Sequence, residues 1–127
     1  MLDVGHLLHT NTALKDEEEG ADYLAQVLGR YEDTSIIKGI HYHQTLSGEY
    51  VEKMKSRCCE LKGSYSERIG TLAEYVYQVD SHKPFLSKKA AELIKKLNPK
   101  YLVFELISRD KEELAWFLKE QTRLFPE

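Results

Sequence analysis

TSIIKGIHYHQTL, residues 34–46, is the stretch on which the fold class turns. It is rich in β-branched and aromatic residues and is interrupted by Gly39, so it suits either an extended segment or a short helix. A helix is the expectation. No neighbouring stretch offers a convincing second strand, and a lone strand leaves its backbone groups unpaired. The same choice recurs at YLVFELI (101–107), which is apolar on nearly every side. With helical patterns before and after it, this segment is also expected to be a buried helix.

Working outward, the signals are helical. Asp16, Glu17, Glu18 and Glu19 suit the first turn of a helix, where the backbone dipole favours negative charge. Ala21, Tyr23, Leu24, Val27, Leu28 and Tyr31 then follow at spacings of three and four, one face of a helix. Ser47 is placed to cap a helix running to Lys62, with Tyr50, Val51, Met54, Cys58 and Leu61 on one face and Gly63 as the stop. Ser64 and Glu67 form a capping box, after which Ile69, Leu72, Ala73, Val76 and Val79 predict an inward face. Two helices joined so tightly return antiparallel. Ser87 caps a helix carrying Ala90, Leu93, Ile94 and Leu97, and Asp110 with Glu113 forms a second capping box that opens the last one. Tyr75 and Tyr77 cannot both face one core.

The expectation is an all-α fold: one domain over residues 1–127, a bundle of five or six short helices around a central antiparallel hairpin at 47–79. The 127 residues can bury roughly two thirds of their unfolded surface, so neither disulfide nor metal is needed for folding. Cys58 and Cys59 are adjacent, unlike a secreted disulfide framework. No signal-like N-terminus and no apolar run of membrane-spanning length occur, so a cytoplasmic, reduced location is expected, with no membrane partner.

Chemistry is sparsely written. Five histidines raise the metal question. His41 and His43 share one face of a strand but lie about 200° apart on a helix, and His6 and His9 would share a helix face. There is no CxxC, HExxH or Glu-x-x-His. The histidines are therefore expected at the surface or an interface, with no metal ligand and no cofactor assigned. Cys58 reads as core packing and Cys59 as partly exposed. Neither a phosphate-binding glycine loop nor a GxSxG elbow is present.

Charge layout is the remaining signal. Residues 15–33 carry seven acidic and two basic side chains, and residues 83–100 carry six lysines against Glu92. Three functions are weighed. First is a non-enzymatic protein-interaction module (an adaptor, inhibitor or immunity-type protein) presenting Asp16, Glu17, Glu18, Glu19 and Asp22 to another protein. Second is a small nucleic-acid-associated protein using Lys88, Lys89, Lys95, Lys96 and Lys100 on phosphates. Third is an enzyme or metalloprotein assembled from His41, His43 and a cysteine or carboxylate elsewhere. Homo-oligomerisation is compatible with all three. The lysines have a simpler use as well, in balancing the acidic helix.

Overall fold

The computed structural model describes residues 1–56 and 61–126. Its elements are β1 (Leu2–Asp3), α1 (Val4–His9), α2 (Glu17–Leu28), β2 (Gly39–His41), α3 (Gly48–Lys55), α4 (Tyr65–Val79), α5 (Lys88–Leu97), β3 (Tyr101–Val103) and α6 (Lys111–Arg123). The three strands form a parallel sheet in the order β1-β2-β3. The fold is therefore mixed α/β, and the all-α expectation is overturned. Both ambiguous stretches contribute strands where helices are expected, β2 within 34–46 and β3 within 101–107. The lone-strand objection fails because each is the other's neighbour, about 60 residues apart in sequence, with the chain's second and third residues completing the sheet. Among the described residues no helix is long and apolar enough to cross a membrane.

The register separates two faces. Leu2, Ile40 and Leu102 align across the strands and belong to the apolar core. There they meet Val4 and Leu8 of α1, Leu24 and Leu28 of α2, and Ala90 and Ile94 of α5. Asp3, His41 and Val103 align in the next row and, by strand alternation, point the opposite way. Alternation continues past β2: Tyr42 is buried on the core side, stacked on Phe85 at 5.7 Å, with Phe125 edge-on at 5.1 Å. Its hydroxyl donates to the Phe85 carbonyl. Gln121 of α6 clamps the same residue, accepting from the Phe85 N–H at 2.9 Å and donating to its carbonyl at 3.0 Å.

Caps form largely where the spacing places them. Ser64 and Glu67 make the reciprocal box, and Ser87 accepts from the Ala90 N–H. Asp110 accepts from the Glu113 N–H, but the Glu113 carboxylate turns to Arg109 instead of closing a second box. Ser47 occupies the N-cap position of α3 without a side-chain cap bond, and α3 ends at Lys55, short of Lys62. Cys58 and Cys59 lie outside the described residues.

Helices α3 and α4 are in contact, but the molecule is not built around them. None of the α4 residues is buried, and its expected inward face is open to solvent at Ile69 (45%), Leu72 (41%) and Val76 (58%). The core lies instead between the sheet and α1, α2 and α5. Gly48 ties the hairpin's base down: a Cβ there would stand 1.9 Å from the Thr12 carbonyl oxygen.

A candidate metal centre at the strand ends

Seven side chains converge beside the C-terminal ends of the strands: Asp3, His6, His41, His43, Asp80, His82 and Glu105. Each is placed by backbone hydrogen bonding. Asp3 ends β1 and caps α1, its carboxylate accepting from the His6 N–H at 2.9 Å. That cap fixes the approach of His6, whose Nδ1 lies 3.2 Å from Asp3 and whose Nε2 lies 3.3 Å from Asp80. His41 ends β2, and the alternation that buries Tyr42 returns His43 to the side of His41.

Asp80 caps the C-terminus of α4, and the chain turns sharply after it. His82 takes φ 43°, a left-handed conformation that non-glycine residues seldom adopt. Reciprocal bonds between Gln44 and Lys83 then lock the His43 segment beside the His82 segment. Glu105 lies between two further ties, Tyr42 N–H to the Val103 carbonyl and Ile107 N–H to the His82 carbonyl.

The result is three overlapping ligand sets: His6, Asp80 and His82; His43, His82 and Glu105; and Asp3, His41 and Glu105. Within each, one donor atom per residue lies within 4.8 Å of the others. His82 and Glu105 each belong to two sets, so ions in adjacent sets would share a residue. The His43 and His82 rings stack with centroids 4.0 Å apart, and His6 meets both edge-on. His41 Nδ1 lies 2.8 Å from Glu105, and His82 Nε2 lies 3.0 Å from Asp80. The Thr45 hydroxyl, itself buried, donates to the other Asp80 oxygen at 3.3 Å.

Two of these histidines overturn the expectation of surface placement. His43 is 0% and His82 7% exposed. Neither ring nitrogen of His43 has a hydrogen-bond partner, nor does Nδ1 of His82. Burial, followed by the neighbouring His82, pushes the His43 pKa down to about 4 despite three carboxylates nearby. His43 is thus neutral at ordinary pH, with a lone pair available to a metal. Burial also works against charge on His6, but the hydrogen bond to Asp80 and the carboxylates of Asp3, Asp80 and Glu105 outweigh it and raise its pKa. For Asp80 burial favours the neutral form, and the hydrogen bonds from His82 and His6 reverse that and lower its pKa.

The charge patches behave differently. Asp16 accepts from the N–H groups of Glu18 and Glu19 as the cap of α2. Glu17 accepts from the Leu86 N–H, Glu18 from the Ser87 hydroxyl and Glu19 from the Lys15 N–H. Asp22 is paired with Lys89. The structure does not gather these five with the histidine cluster; it turns most of them towards the start of α5. Lys88, Lys95, Lys96 and Lys100 are exposed; Lys95 stands over Phe125 and Lys100 over Tyr101.

Of the seven cluster residues, only His6, His41 and His43 are weighed as candidates in the sequence, and His6 there is matched with His9, which does not join it. The signals that find the rest are short. Asp3-x-x-His6 is a capping spacing, and Asp80-x-His82 and His41-x-His43 each put two donors on one side of an extended chain. Glu105 carries no local signal. No protein-family model matches the chain, and comparison with curated proteins and with solved structures finds no match.

Proposed function

We propose that this chain binds divalent transition-metal ions at the seven-residue cluster and uses them to activate water for hydrolysis. The observation that carries the reading is His43, a fully buried imidazole with no hydrogen bond at either nitrogen, its Nε2 3.7 Å from Asp3, stacked on His82, whose Nδ1 also lacks a hydrogen bond. Buried polar atoms without partners are rare and demand an occupant or a role. Imidazole mixed with carboxylate suits zinc, manganese or iron(II) rather than calcium or a thiolate-seeking ion. The carboxylates of Asp3, Asp80 and Glu105 supply the negative field that a dication needs.

The chemistry follows from coordination number. Each set offers three protein ligands, the number found where a metal keeps an open position for water or substrate. Asp3, His41 and Glu105 are only partly buried, at 22, 30 and 42% side-chain exposure, so that position opens to solvent. A bound ion lowers the pKa of its water towards neutrality and polarises the oxygen of an ester-like substrate. The Asp3 carboxylate, 3.2 Å from His6 Nδ1, would hold that ring and leave Nε2 to an ion shared with Asp80 and His82.

This takes up the third expectation from the sequence, an enzyme or metalloprotein containing His41 and His43. The protein-interaction and nucleic-acid readings rest on charge, and much of the acidic charge is already engaged within the chain. Elemental analysis of untagged protein, loaded with zinc or manganese and then desalted, tests the proposal. At least one ion per chain is expected, with most lost in His82→Ala because two sets share that residue. Absence of stoichiometric metal from the wild-type protein overturns it.

A further inference from the structure

Gly5 lies in the first turn of α1, where alanine is the better helix former, and its backbone has no left-handed torsion that calls for glycine. The reason for glycine lies across the gap. A Cβ at Gly5 would stand 2.0 Å from His43 Nε2, 2.2 Å from Cδ2 and 2.9 Å from Cε1. The imidazole has no room to retreat. It is fully buried, stacked on His82 at 4.0 Å and met edge-on by His6, and its backbone is flanked by the Gln44–Lys83 bridge.

We infer that Gly5 is a positioning residue of the metal centre: its missing Cβ is the seat on which the His43 ring lies, and any larger side chain displaces that ring from the ion. The inference rests on the metal reading above and extends it to a residue that carries no donor atom. Gly5 follows Asp3 by two positions and precedes His6 by one, so the same turn of α1 presents two ligands and leaves space for a third. Displacement of His43 also disturbs the ring stacked on it, so the effect reaches both sets that contain His82.

Four proteins test it: wild type, Gly5→Ala, His43→Ala and the double variant. Zinc affinity is read by competition with a chromophoric chelator, and the metal-free Tm by circular dichroism. Gly5→Ala is expected to weaken zinc binding at least about tenfold, the scale of supporting interactions around a metal. In the His43→Ala background the second substitution has space, so it leaves affinity unchanged and Tm unchanged or raised. If Gly5→Ala alone fails to fold, recovery of folding in the double variant supports the seat equally.

Wild-type affinity in Gly5→Ala overturns the inference. So do additive losses, or unfolding in both backgrounds, since either means that glycine serves α1 independently of His43. A wild-type protein that binds no zinc removes the metal reading and this role with it. That failure is distinct, because the Tm cycle then still reports whether Gly5 and His43 are in steric contact.

Discussion

Ile69, Leu72 and Val76 in α4 and Ile40 in β2 are all large aliphatic residues on regular elements, yet the first three are 45, 41 and 58% exposed and Ile40 is 0%. The hairpin that holds the former has every local mark of a stable core element: a capping box, a heptad-like apolar spacing and a length of 15 residues in α4. The strand that holds the latter has three residues and no periodicity to recognise. What differs is what each can reach. Ile40 has α1, α2 and α5 packed over it, whereas among the described residues α4 packs chiefly on the short α3. Local patterning tells which residues share a side of an element. It does not tell whether anything lies on that side.

The sharpest way to break the comparison is to truncate both sides alike. Ile40→Ala is expected to cost 2–5 kcal/mol, the range for large-to-small changes in a filled core. Leu72→Ala is expected to cost under about 1 kcal/mol, because much of the side chain is already in water. Urea denaturation of both variants decides it, and equal losses would mean that the hairpin does hold the fold.

Acid sharpens it next. The metal-free protein holds His43 with a pKa near 4 against 6.5 for the ordinary group, so between those values the unfolded chain takes up a proton that the folded chain refuses. Stability therefore falls as pH drops from about 6.5 to 4, by something on the order of 1–3 kcal/mol. His6, with its pKa raised, runs the other way: its contribution is present at low pH and is lost as pH rises through its folded value. Being largely exposed, it offsets only part of the slope. His43→Asn should flatten the acid limb in EDTA-treated protein. An unchanged slope would place the titration elsewhere.

Thr45 gives a finer probe of how the extended segment supports the site. Thr45→Val keeps the shape and removes the hydroxyl that donates to Asp80, and zinc affinity should drop about tenfold, with Thr45→Ser restoring it. Failure of serine to restore binding would assign the loss to packing. The smallest effect is expected in the clearest motif. Ser64→Ala should abolish hydrogen-exchange protection at the Glu67 amide while shifting Tm by no more than about 2 °C, since α4 frays without opening the core.

The helices were legible because their information is local: Ser64 with Glu67, Ser87 before Ala90 and Asp16 before three glutamates satisfy N–H groups three residues away. The sheet was not, because strands of two or three residues are specified by pairing across some 40–60 positions and leave no period to count. The site was lost with the sheet. Taken as helical, His41 and His43 diverge; taken as extended, they share a face, and Asp3 and Glu105 then come into reach through the register. Asp80 and His82 were hidden for another reason. They stand where a helix ends and the chain turns left-handed, a place marked in the sequence only as a stop. The acidic and lysine-rich stretches, conspicuous in composition, meet in the Asp22–Lys89 pair along α2 and α5.

Cobalt(II) titration followed by visible absorption tests the metal centre most directly, because the ligand field of the ion reports its donors. The account predicts d–d bands that grow to saturation at a whole-number ratio of cobalt to chain, weaken in His43→Ala and His82→Ala, and are untouched in His9→Ala. A spectrum that stays that of aqueous cobalt at every ratio, or one that His43→Ala and His82→Ala leave unchanged, would contradict it.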